Sequence, residues 1–270
     1  MSESVSMVSS VLSPAARIAA CLLVAVGLVA CGGQQDTASD DETAGDAEPN
    51  TLTQQEQEAG WTLLFDGENL SEHWIGLGRD QIPEGHWEVD QSTIHKIESD
   101  NVPTQADGQP LEGGDIMTKD TYRDFEFRFE WKVAKGANSG IKYNVSESLS
   151  VANQPQHAAL GFEYQVLDDE RHPDGEAPNH RSAGLYDLIA PNDAKELNPP
   201  GEWNTARIVL DGMHGEHWVN GEMVVEYDMD TARFDSLFAA SKYADTDGFR
   251  TRRAGHIVLQ DHSDSVWYRN

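Results

Sequence analysis

The clearest pattern in the chain is a strict alternation. Phe125, Phe127, Phe129, Trp131 and Val133 occupy every second position, and Asp124, Glu126, Arg128, Glu130 and Lys132 lie between them. Successive side chains of a strand point to opposite faces, so this period of two predicts one long half-buried strand. A second stretch, Gly161 to Asp168, alternates in another way. Phe162, Tyr164 and Val166 form a core face, while Glu163, Gln165 and Leu167 form the other. A carboxylate and an amide side by side in mid-strand mark that face as either solvated surface or a binding groove. We take this stretch as a central strand.

Shorter strands are predicted on either side. Trp61–Gly67 suggests a strand and a turn, and His86–Asp90 with Ser92–His95 suggests a hairpin. Asp115–Thr118 and Ile141–Val145 follow, then a polar loop over 146–160. Ala183–Leu188 and Ala206–Leu210 are two more. His217–Val219 and Met223–Tyr227 flank Asn220-Gly221, the strongest short hairpin signal. His256–Gln260 and Val266–Arg269 are expected to close the chain as a last hairpin. Long segments at 168–182 and 233–253 interrupt the strands, the first long enough to form a rim over a site and the second with one helical turn near Phe238. Many short strands with little helical periodicity predict an all-β fold, a two-sheet antiparallel jelly-roll sandwich with one concave face for polar groups.

Before residue 60 the pattern is different. Ile18–Ala30 is an apolar run preceded by Arg17, too short to span a bilayer comfortably and suited to an export signal. It ends in Leu28-Val29-Ala30-Cys31-Gly32, which resembles a bacterial lipobox. Residues 1–31 are therefore expected to be a lipoprotein signal peptide that places a lipid anchor on Cys31. The protein would be exported and held at a bacterial membrane. Residues 32–59 carry no Lys or Arg and few large apolar side chains, so an acidic disordered tether is expected there. The folded domain is expected over 60–270.

Charge and cysteine content narrow the chemistry. With 47 Asp and Glu against 19 Lys and Arg, the chain has no surplus of cations to neutralise phosphates, which argues against nucleic acid as a partner. The cysteines, Cys21 and Cys31, both precede the domain, so the domain contains no disulfide and no thiolate metal site.

The ordered set WTLLFDG (61–67), YRDFEF (122–127), NSGI (138–141), GFEYQVLD (161–168), GLY (184–186), EWN (202–204), NG (220–221), GHIVLQDH (255–262) and RN (269–270) resembles the 3-keto-disaccharide hydrolase family, long described only as a domain of unknown function. The resemblance covers about residues 60–270. It implies a concanavalin-like sandwich acting on 3-keto-glycosides, by hydrolysis or by elimination and hydration, with a carbohydrate as substrate. A sugar 3-oxidoreductase acting upstream would supply the keto group.

Such chemistry needs a base for the acidified C2 hydrogen, donors for the enolate oxygen and an acid for the departing oxygen. The polar strand faces offer Glu163 and His262 as catalytic groups. Gln165, Gln260, Arg269, Lys142 and Asn138 are the candidates to hold sugar. Trp203 and Trp218 are expected in the core. His172 and His180, with His262 and Glu163, make a mixed His and carboxylate set that suits a divalent ion. Their spacing is not compact, so no cofactor is assigned. A non-catalytic carbohydrate-binding module is the alternative, because sandwiches serve both roles.

Overall fold

The computed structural model describes residues 48–99, 112–153 and 157–270, together with the two-residue strand β1 (Val8–Ser9). Cys31, the remainder of the predicted signal peptide apart from Val8–Ser9, and residues 32–47 of the predicted tether lie outside the described residues.

The strands are β2 (Trp74–Gly76), β3 (Trp87–Asp90), β4 (Thr93–Lys96), β5 (Ile116–Thr118), β6 (Phe125–Val133), β7 (Asn138–Val145), β8 (Phe162–Leu167), β9 (Asn204–Asp211), β10 (His214–Val219), β11 (Glu222–Asp228), β12 (His256–Leu259) and β13 (Val266–Arg269). Short helices α1 (Gln54–Ala59), α2 (Glu147–Ala152) and α3 (Ala232–Ala240) lie between them. One sheet runs β2-β5-β12-β7-β8. The other runs β11-β10-β9-β6-β13-β4-β3, with β1 pairing beside β6 at Phe127 and Arg128. Every strand pair is antiparallel, as expected for a two-sheet sandwich.

The predicted alternation makes the core. Phe125, Phe127, Phe129, Trp131 and Val133 of β6 are buried against Ile141 and Tyr143 of β7, Phe162, Tyr164 and Val166 of β8, and Ile257 and Leu259 of β12. Edge-to-face contacts join the sheets: Phe129 meets Tyr164 with ring centres 5.5 Å apart, and Phe125 meets Tyr143 at 6.1 Å. Such pairs add to the area term of burial. At the β10–β11 turn Asn220 and Gly221 take φ of 48° and 88°, the left-handed geometry that an Asn-Gly hairpin favours.

Several expectations are corrected. Phe162–Leu167 is not central: β8 is the last strand of its sheet. Its outer edge is closed by a loop instead, where Gln165 N donates to Gly184 O and Ala183 N to Gln165 O. The predicted strand at 183–188 is that loop, held by isolated bridges through Leu185. β12 and β13 are not a hairpin, because they belong to different sheets and residues 260–265 cross between them. Trp61–Gly67 forms no strand. The Asp66 carboxylate accepts the N–H groups of Glu68 and Asn69 and turns the chain there, while Leu64 and Phe65 plug the core. The polar loop at 146–160 contains α2, and the single turn near Phe238 is the nine-residue α3.

The predicted tether also ends early. Thr53 and Glu56 form a reciprocal capping box that starts α1. Asn50 is buried, and its side chain accepts from Asn270 N and donates to Ser92 O. Asn270 returns a bond to Asn50 N at 2.6 Å. A local capping box and long-range bonds to Ser92 and Asn270 order residues 48–59 although they carry few apolar side chains.

Candidate active site

The polar groove lies on the outer face of the five-stranded sheet. It exists because β7 and β8 send opposite residue sets to the core. On β7, Ser139, Ile141 and Tyr143 point inward, leaving Asn138, Gly140, Lys142 and Asn144 outside. Register then sets Lys142 opposite Glu163, Gly140 opposite Gln165, and Asn138 opposite Leu167. The ladder extends past β12 through Gln260 N, which donates to Gly140 O, so Gln260 lies beside the middle of the groove and His262 near the Asn138 end. Four residues of strand separate Asn138 from Lys142, roughly 13 Å along the groove.

Asn138, Lys142, Glu163, Gln165, Gln260 and His262, all expected from the sequence, line this one groove. All six are buried, although they face away from the core. Glu163 Oε2 lies 3.8 Å from Lys142 Nζ, and that ammonium also donates to Ala159 O at 3.1 Å. Burial pushes the Glu163 carboxyl above its ordinary range, and the Lys142 ammonium opposes the shift. Both side-chain amide atoms of Gln165, Oδ1 of Asn138 and Oε1 of Gln260 are buried with no protein partner. Buried polar atoms are almost always paired, and leaving one unpaired costs about 1–3 kcal/mol. A group of them on one wall is what a site for a hydroxyl-rich ligand looks like.

Arg269 is not part of the groove. β13 lies in the opposite sheet, where the Arg269 guanidinium donates to Glu130 Oε2 at 2.7 Å and stacks 4.3 Å above Trp203. Trp203 and Trp218 are half-buried outside the core, covered by Arg269 and Arg207. The expected His172, His180, His262 and Glu163 set also separates. His180 stacks on Tyr186 at 4.4 Å and reaches Asp187 Oδ1 at 3.2 Å. His172 and His262 instead converge with Asp264, their ligating atoms within 4.8 Å of one another.

Three lining residues escaped the sequence reading: Asp174, Tyr186 and Lys242. Tyr186 O–H donates to Asp174 Oδ2, and Lys242 Nζ lies 4.4 Å above the Tyr186 ring. Asp187, at φ 62°, accepts Lys242 N and ties the two long loops together. Burial raises the Tyr186 hydroxyl well above its usual range, so it stays a neutral donor. The long loops gave a signal of a rim, but no spacing rule pointed to these side chains.

A larger hollow of about 490 Å³ lies on the outer face of the opposite sheet, near Thr53, Glu56, Arg128 and Trp218. Its cations are already paired: Arg128 with Glu56 at 3.6 Å and with neighbouring Glu126 at 2.8 Å, and Arg207 with Glu126 at 2.9 Å. Size favours that hollow, but open hydrogen-bonding capacity and a buried carboxylate favour the groove.

Residues 60–270 match the model of the 3-keto-alpha-glucoside-1,2-lyase-like domain. A Bacteroides thetaiotaomicron protein named 3-keto-disaccharide hydrolase is 34% identical over 93% of this chain and 95% of its own length. A Parabacteroides distasonis crystal structure with a provisional glycosyl hydrolase name superposes with TM-score 0.70 at 25% identity, over 83% of this chain and 97% of that one. A second structure from the same organism, similarly named, gives TM-score 0.53 at 23% identity over 73% and 96% of the two chains, and supports the fold alone.

Proposed function

The chain belongs to the 3-keto-alpha-glucoside-1,2-lyase-like family, and from that premise we propose that its groove cleaves 3-keto-glycosides or 3-keto-disaccharides. Carbohydrate-active function, of the hydrolase kind, is the broader statement that this membership carries. The finer reading rests on one observation. A buried carboxylate, Glu163, shares a wall with several buried amide atoms that lack protein partners.

A ketone at C3 acidifies the C2 hydrogen. Glu163 takes that proton, and the C2–H electrons form the enolate. As the C3 carbonyl re-forms, a C1–C2 double bond appears and the C1–O bond breaks. The aglycone departs with a proton. Water then adds across C1–C2, so the net change is hydrolysis. Burial gives Glu163 a raised pKa, which makes its ionised form a stronger base. Lys142 keeps part of the population ionised. The open amides of Gln165, Gln260 and Asn138 match sugar hydroxyls. His262 and Asn138, at the far end, suit the oxygen that becomes the enolate. On the rim, the neutral Tyr186 hydroxyl, now donating to Asp174, suits a hydrogen bond to the departing oxygen.

The same proposal extends to the cell. The lipobox-like run before Cys31 supports export and a lipid anchor at a bacterial membrane, with a sugar 3-oxidoreductase supplying the substrate. Loss of labelled fatty acid in Cys31→Ala would support the anchor, and unchanged labelling would refute it.

The test of the activity is product analysis of the purified protein with a 3-keto-disaccharide and with the unoxidised disaccharide. Cleavage of the keto sugar alone is expected. Binding of either sugar with no cleavage would replace this reading with a carbohydrate-binding module.

A further inference from the structure

We propose that His172, His262 and Asp264 hold a divalent first-row metal ion at the Asn138 end of the groove. The binding claim stands on geometry; the use of the ion rests on the reading above.

The three residues come from separate segments. His172 opens the short turn Pro173–Glu176 after β8, and His262 and Asp264 lie in the crossover after β12. The fold nevertheless brings one ligating atom of each within 4.8 Å of the others. An ion about 2.0–2.2 Å from each donor needs them roughly 3–4 Å apart, so loading the site would draw the three side chains slightly together. Two imidazoles and one carboxylate are a set that holds a divalent transition metal on one side and leaves positions open on the other.

The surroundings hold the ligands in place. Asp264 Oδ2 accepts Asn138 N at 2.9 Å, which fixes the carboxylate. The His172 and His262 rings stand nearly perpendicular, with centres 6.0 Å apart. A second observation is independent of the cluster itself. The buried Asn138 side chain reaches His262 Nε2 with its nitrogen at 3.4 Å, while its oxygen has no protein partner. Half a turn of that carboxamide exchanges the two ends and offers an oxygen beside the cluster, either to the ion or to its water.

Binding has a structural consequence. His172 Nδ1 accepts Asp174 N at 3.1 Å and so caps its turn. A neutral imidazole has one ring lone pair, so ion and cap compete for it. Loading the site should release Asp174 N and loosen the turn that carries Asp174 to the groove wall. With keto sugar present, the open positions of the ion would polarise the C3 oxygen while Glu163 removes the C2 proton.

The experiment titrates Mn²⁺ into chelator-treated full-length protein and follows the free-ion electron paramagnetic resonance signal, with Zn²⁺ as competitor. One Mn²⁺ per chain is expected. His172→Ala and Asp264→Asn should each weaken it at least tenfold. Asp264→Asn keeps an oxygen for Asn138 N, which guards against simple misfolding. His214→Ala removes a surface imidazole that sits among Glu216, Glu226 and Asp228 and should change nothing. Amide exchange at Asp174 should speed up on loading. Absence of stoichiometric binding, or loss only in His214→Ala, would overturn the site. Ion binding without keto-sugar turnover would leave the site standing and refute the activity, and turnover without binding would do the reverse.

Discussion

Gly140 and Glu163 face each other so closely that a Cβ built on Gly140 would lie 2.2 Å from Glu163 Oε1. No side chain larger than hydrogen fits there without moving the carboxylate. Gly140→Ala is therefore expected to displace Glu163 while leaving the core face of β7 intact. Turnover of a keto-glycoside should fall at least tenfold with a smaller change in melting temperature. Equal losses of stability and activity would show that the glycine serves the strand and not the site.

Glu163→Gln keeps the size of the side chain and removes its basicity. If Glu163 takes the C2 proton, kcat should fall by about 10²–10⁴-fold. Calorimetric affinity for the keto sugar should hardly change. Paired calorimetry and product formation on one preparation checks this, and near-normal turnover would transfer the role of base to another groove residue.

Arg269→Ala should leave sugar affinity unaltered, because its guanidinium pairs with Glu130 in the opposite sheet. The stability cost of a partly exposed pair is about 0–1 kcal/mol. Gln165→Ala should instead weaken binding and turnover together. A fall in affinity on replacing Arg269 would contradict the separation of the two faces.

Asn50→Ala should lower stability by about 1–3 kcal/mol, since it leaves Ser92 O and Asn270 N without their buried partner. A chain begun at Gly60 should melt below one begun at residue 48. Denaturant midpoints of the two would settle how much residues 48–59 contribute.

Asp115 is fully buried and accepts Ala159 N and Asp261 N, yet burial raises its pKa to about 6 from 3.8. The folded state thus binds the proton more tightly than the unfolded state. This contribution is complete below about pH 4 and is lost as pH rises through about 6, a change of about 3 kcal/mol. Melting temperature should therefore fall between about pH 4 and pH 6 and level off above about pH 7. Asp115→Asn should flatten that slope, as thermal scans across this range would reveal; an unchanged slope would assign it to another group.

The alternation in β6 and β8 was enough to tell which side chains enter the core, because a period of two is a local property of the backbone. Alternation likewise put Glu163, Gln165 and Lys142 on polar faces before any contact was known, whereas Asn138 read as part of a turn and in fact opens β7, and Asn220-Gly221 identified its hairpin through φ preferences of two residues. What the chain pattern could not state was which strand pairs with which. Val266–Arg269 follows β12 closely in sequence, yet the crossover at 260–265 carries it into the other sheet and takes Arg269 away from the groove. Phe162–Leu167 looked central but ends its sheet, because a loop through Ala183 and Gly184 satisfies its free edge. Asp174, Lys242 and Asp264 lie on segments without periodicity, and Tyr186 on one read as a strand that is a loop. Their places are set by caps and long-range bonds, such as Asp187 holding Lys242 N and Asp264 holding Asn138 N. Strand faces were thus decided by neighbouring residues, whereas the closed groove was decided by contacts between residues far apart in the chain.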